Sequence, residues 1–130
     1  MIAKTIFATA LIAITASLAT PGHARGNCKD AYIHAENLTG GLIKVVDLNF
    51  KISGYGKKSE PIRNQDVPAG QPFTVTRNLE HANERQTQVT ILYRTRTDNK
   101  HFNKWSGLKR ASSEFQECKR NRTFNVVLTD

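Results

Sequence analysis

From Ala31 onward, apolar and polar residues alternate far more often than they recur at helical spacing. Ala31 to Asn37 places Ile33 and Ala35 on one side and Tyr32, His34 and Glu36 on the other. Leu42 to Ile52 puts Val46, Leu48, Phe50 and Ile52 on one face, with Lys44 in the same register, and Asp47, Asn49 and Lys51 on the opposite face. Gln71 to Leu79 aligns Phe73, Val75 and Leu79, and Thr87 to Thr97 aligns Val89, Ile91 and Tyr93 against Thr90, Arg94 and Arg96. Arg122 to Thr129 closes the series with Phe124, Val126 and Leu128. Period-two patterning of this kind predicts half-buried β-strands. Two weaker runs, Ile62 to Val67 and Ser112 to Cys118, bring the expected number of strands to about seven.

Glycine and proline interrupt the chain at Gly40-Gly41, Gly54, Gly56, Pro61, Pro68, Gly70, Pro72 and Gly107. Such punctuation marks turns between short strands. Only Leu79 to Gln86 has room for a helical turn, and it serves equally as a hairpin loop. The expected fold is therefore all-β: a small antiparallel β-sandwich of immunoglobulin-like, Greek-key type. The run Asn37-Leu-Thr-Gly-Gly-Leu-Ile-Lys-Val, followed by Pro68-Ala-Gly-Gln, resembles the first half of several small secreted β-sandwich families. The lipid-binding aegerolysins are one. The resemblance covers about 35 residues and consists of strand and turn grammar, so it implies a fold and no activity.

The chain has 130 residues, enough for one domain. Its start carries Lys4, an uncharged stretch from Thr5 to Thr20, then Pro21-Gly22-His23-Ala24. A basic start, a short apolar run, a breaker and small residues at Gly22 and Ala24 predict a secretory signal over residues 1–24, cleaved after Ala24. The alternative, a retained anchor, needs about 20 apolar residues and finds fewer. Lipidation at Cys28 fits poorly with Arg25-Gly26-Asn27 before it. The mature domain, 25–130, is expected to be periplasmic or secreted, with Cys28 and Cys118 joined as one disulfide.

Charge adds the most. The net charge is +8. Residues 94–122 hold nine Lys and Arg against three acids, Asp98, Glu114 and Glu117. Within that segment Arg94, Arg96, Lys100, His101, Phe102, Lys104, Trp105, Lys109 and Arg110 interleave cations with rings. This mixture suits anionic polymers, lipid headgroups and acidic proteins. Lys119, Arg120 and Arg122 are expected at the same end of the sandwich, enlarging the cluster. The alternative is a solvated basic loop around a buried Trp105, and the sequence leaves that choice open.

Catalytic signals are thin. Phosphate-loop, zinc-protease, serine-hydrolase and calcium-loop patterns are missing from the sequence. The histidines past the leader, His34, His81 and His101, fall in separate segments, so neither metal nor cofactor is expected. A secreted ribonuclease-like hydrolase would draw on Glu80, His81, Glu84, Arg85 and His101 for acid, base and phosphate-holding roles. The sequons Asn37-Leu-Thr and Asn121-Arg-Thr read as turn residues. A lysozyme inhibitor ranks lower, because its basic target would repel this chain. The reading favoured is a non-enzymatic binding module for an anionic partner: a cell-envelope polymer, a lipid surface or an acidic protein. The ribonuclease-like hydrolase and a membrane-active toxin stand as alternatives.

Overall fold

A computed structural model describes residues 26–97 and 104–130. The expected signal and its cleavage point, together with Lys100, His101 and Phe102, lie outside the described residues. Ten strands form among the described residues: β1 (Cys28–Asn37), β2 (Ile43–Ile52), β3 (Gly56–Glu60), β4 (Gln65–Val67), β5 (Pro72–Leu79), β6 (Gln86–Thr97), β7 (Lys104–Trp105), β8 (Lys109–Ser112), β9 (Gln116–Glu117) and β10 (Thr123–Leu128). The five clearest alternating runs are the long strands β1, β2, β5, β6 and β10. The short strands β3, β7 and β8 have no apolar side to mark them. They form because β2 and β6 offer them open backbone ladders.

A three-stranded sheet has the order β10-β1-β5, and the larger sheet is built around the β2–β6 pair. β3 and β4 follow one another along the outer side of β2, at Leu48–Ile52 and Ile43–Val45 respectively. β7, β8 and β9 likewise share the outer side of β6. The ten segments therefore fill seven strand positions, three in one sheet and four in the other. Among the strands of the described residues pairing is antiparallel except for β10, which returns alongside β1 in the same direction, from Tyr32↔Thr123 to Asn37↔Leu128.

Between the sheets lies one apolar cluster. Ile33, Ala35, Phe73, Phe124, Val126 and Leu128 meet Leu48, Phe50, Ile52, Val89, Ile91 and Tyr93. Val75 is half-buried and packs against it. One expected core residue is corrected. Val46 is half-exposed, while Ile43 and Val45 are fully buried. The β2–β6 register shifts between Val45 and Asp47, a bulge that swaps which residues face inward. Plain alternation counted back from Phe50 therefore gives the wrong side before the bulge.

The disulfide joins Cys28 to Cys118, with Cα atoms 6.0 Å apart and 90 residues between them. It ties the start of β1 in one sheet to the residue after β9 in the other, and both cysteines are buried. Closing so long a loop restricts the unfolded chain, worth up to about 4.5 kcal/mol on the chain-entropy account. Such a bond fits an oxidising compartment. Across one side of the sandwich Arg77 of β5 pairs with Glu60 of β3 at 4.0 Å. Across the other, Gln116 Nε2 donates to the Thr123 carbonyl at 2.6 Å.

Two turns match their residues. Gly40 and Gly70 take φ of 78° and 74°, where a side chain would be strained. Buried Asn37 joins their loops: its amide donates to the carbonyls of Gly41 and Val67, and its oxygen accepts from Thr39. The 79–86 stretch is a tight turn, with His81 and Glu84 at φ of 60° and 59°.

A candidate anion-binding face

β6 sets the geometry. Val89, Ile91 and Tyr93 point to the core, so Thr90, Leu92, Arg94 and Arg96 project from the outer face of the larger sheet. Register adds residues from the neighbouring strands. Lys44 of β2 stands opposite Arg94, Arg110 of β8 opposite Leu92, and Trp105 of β7 opposite Arg96. Residues directly opposite share a face. Of the expected set, Arg94, Arg96, Trp105 and Arg110 therefore come together. Lys104 pairs with Thr97 and Lys109 with Tyr93, which turns both to the other side of the sheet.

Trp105 is half-buried and stands apart from the core cluster. The Lys44 ammonium lies over its ring, 4.6 Å from the centroid. A cation so placed is attracted by the electron-rich ring face, by about 0.5–2 kcal/mol depending on exposure. Lys44 was missed by the sequence reading, which placed it in the register of the core. The bulge after Val45 puts it outside, and residue type carries no sign of that bulge.

Ser106 fixes the step between β7 and β8. Its N–H donates to the Thr95 carbonyl at 2.7 Å, and its hydroxyl accepts from the Thr95 N–H at 2.9 Å. Its carbonyl accepts from Arg94 Nη1 at 2.9 Å. One serine thus holds the edge strand down and orients an arginine. Leu92, on the same outer face, is only 6% exposed, and its register neighbours are Asp47 and Arg110. Arg110 opposite it and Arg94 two residues on are its neighbours on that face, where long arginine stems can cover an apolar side chain.

The field on this face is mixed but mostly positive. Lys44, Lys51, Lys57, Arg94, Arg96 and Arg110 share it by register with Asp47, Asp66 and Glu117. The ion pairs Lys58–Glu80, Arg77–Glu60 and Arg120–Asp30 lie elsewhere, and Lys119–Glu117 sits at the far end, by Gln86. On the core side of the same stretch, Tyr93 donates its hydroxyl to the Thr129 carbonyl. Burial pushes its phenol above the ordinary value.

Lys119, Arg120 and Arg122 do not join the cluster. Glu117 pairs with Gln86, at the start of β6, whereas Arg96 is near its end. Ten residues of strand separate the two, about 33 Å. Lys119 and Arg120 instead form ion pairs of 3.7 and 3.5 Å beside the disulfide.

No protein-family model, curated protein or solved structure matches the chain.

Two of the residues considered for hydrolysis reach across to the β2–β3 hairpin. Glu80 meets Lys58 at 3.7 Å, and the Arg85 guanidinium lies 4.0 Å from the Tyr55 ring centroid. His101 lies outside the described residues. Among the described residues, no three His, Cys, Asp or Glu side chains gather as metal ligands, and no helix is long and apolar enough to cross a membrane. A groove of about 380 Å³ runs between the β8–β9 connection and β10, lined by Ser112, Ser113, Glu114, Gln116, Asn125 and Val127. Its one charged lining residue is acidic, so it does not extend the basic face.

Proposed function

We propose that this chain is an exported, non-catalytic binding module that takes an anionic partner on the outer face of β2, β6, β7 and β8. Residues 1–24 act as the signal that delivers it, and the buried disulfide suits the compartment it enters. The observation that carries the reading is the gathering of Lys44, Arg94, Arg96 and Arg110 around Trp105 on one side of one sheet. Lys44 is distant in sequence from the other four, and strand register brings it to them. Cations fixed on a rigid sheet lose little freedom on binding, which favours association with closely spaced anions.

The test is titration of the exported protein with heparin, single-stranded nucleic acid and anionic vesicles at low salt, followed by tryptophan emission and electrophoretic mobility. Binding should fall steeply with salt, since each neutralised phosphate releases counterions. Wild-type protein that leaves all three probes unbound refutes the reading. Intact-mass measurement of the exported protein checks the leader, and a full-length mass rules out cleavage after Ala24.

A further inference from the structure

The relation between Trp105 and Lys44 bears on how a partner is held. The ring is half-buried, and the Lys44 ammonium covers one of its faces at 4.6 Å. A ring that stacks on a nucleobase needs an open face, and one that anchors in a bilayer needs an open rim. Here Lys44 already occupies one face, and partial burial takes up some of what is left. Lysine, by contrast, has a long stem with much rotamer freedom, and a ring beneath its ammonium removes part of it. The ring thereby holds the Lys44 charge beside Arg94, its register partner, and Arg96 stands opposite the ring itself.

We infer that Trp105 is a positioning residue for Lys44, and that this face takes a linear phosphate-backbone polymer by charge spacing alone. The inference rests on the anion-binding reading above and narrows it. Side chains on one face recur about 6.6 Å apart along a strand and about 5 Å apart between strands. A flexible chain bearing a charge every few ångströms can cross β2, β6 and β8, meeting Lys44, Arg94 and Arg110 in turn. Two of these are arginines, whose planar forks match phosphate oxygens in pairs. Nothing in the arrangement reads the groups attached to the phosphates.

The experiment compares inorganic polyphosphate with oligothymidylate of equal phosphate count, and adds heparin and phosphatidylglycerol vesicles as competitors. Wild type, Lys44→Met, Trp105→Leu and the double variant are titrated over a salt series. Without any probe, the NMR shift of the Lys44 ε-methylene is read in wild type and Trp105→Leu. Polyphosphate and oligothymidylate should bind within about threefold of each other, because one stacked base would add about fivefold or more. Each single variant should lower the salt slope by about one, and the double variant by no more than either. The ε-methylene should be shifted upfield in wild type and return to an ordinary position in Trp105→Leu.

An oligothymidylate preference of about tenfold that Trp105→Leu removes, with the slope unchanged, would show a stacking ring and overturn the inference. An ε-methylene shift that survives Trp105→Leu overturns the positioning role. A preference of about tenfold for heparin or vesicles overturns the phosphate polymer. Wild-type protein that binds no probe overturns the anion-binding reading itself, while the ligand-free ε-methylene shift still decides what Trp105 does. Should Trp105→Leu fail to fold, Lys44→Met keeps the indole, and a stacking ring would then retain its oligothymidylate preference.

Discussion

The two outer faces of the sandwich are made by the same alternation and carry different chemistry. The small sheet shows solvent Tyr32, His34 and Glu36 from β1, Thr74 and Thr76 from β5, and Thr123, Asn125 and Val127 from β10. Neither lysine nor arginine occurs in that set. The larger sheet shows six cations and three acids on the corresponding side. Both faces stand on one shared core, so packing cannot explain the difference between them. A sheet needs only its inner side to fold, which leaves the outer side available for other uses. Here one side is close to neutral and the other concentrates charge. Pairing is what concentrates it, because Lys44 and Arg110 come from strands on opposite sides of β6.

Loss of the shared core should erase the contrast altogether. Phe50 is 1% exposed at the centre of the cluster, and Phe50→Ala should cost about 3–5 kcal/mol, read by chemical denaturation. A loss confined to either face's own contacts would mean that the sheets fold independently. Cys28→Ser should follow at about 2–5 kcal/mol, because it releases the small sheet from the larger one. Free-thiol titration of the native protein checks the bond itself, and two reactive thiols would refute it.

Tyr93 sharpens the contrast from beneath the charged face. Tyr93→Phe removes the hydrogen bond to Thr129 and should cost about 1 kcal/mol at neutral pH. The pH dependence has a definite sign. The phenol's folded pKa is raised, so above its ordinary value of 10.0 the folded state holds a proton that the unfolded state has lost. Wild-type stability must therefore fall as pH rises through that window, whereas the Phe variant keeps its own. Denaturation at alkaline pH should show the gap between them closing.

The smallest effects on stability test the faces most directly. Arg94→Gln with Arg110→Gln should change stability by about 0.5 kcal/mol or less and lower the salt slope for polyanions by about two. Thr74→Lys with Asn125→Lys, on the opposite face, should change stability as little and leave polyanion affinity nearly unaltered. Equal binding gains from the second pair would show that net charge, rather than placement, governs association.

The sequence made the core legible because alternation is a local signal. The five long strands followed from it directly, and the disulfide followed from two cysteines in a chain read as exported. Val46 and Lys44 were misread for one reason: a bulge reverses alternation without leaving a mark in residue type. β7 and β8 were hidden because a short edge strand is recruited by its neighbour and needs no apolar pattern of its own. The charged face was half legible. Composition found Arg94, Arg96, Trp105 and Arg110 within one segment, but it also grouped them with Lys119, Arg120 and Arg122, which β6 carries to the far end. Lys44, 61 residues before Trp105, could enter only through register.

The interrupted flanks of the larger sheet have a consequence for behaviour in crowded solution. A continuous flanking strand exposes a row of backbone donors and acceptors on which a second molecule can extend the ladder. Here one flank is divided between β3 and β4, and the other among β7, β8 and β9, with Pro61 and Gly107 lying in the breaks. An incoming strand meets only two to five residues before the ladder ends. Lysines crowd those same stretches, at Lys57, Lys58, Lys104 and Lys109. The protein is thereby guarded against sheet-to-sheet aggregation on that side, and concentrated samples should resist the amyloid-type growth that an unbroken flank would seed.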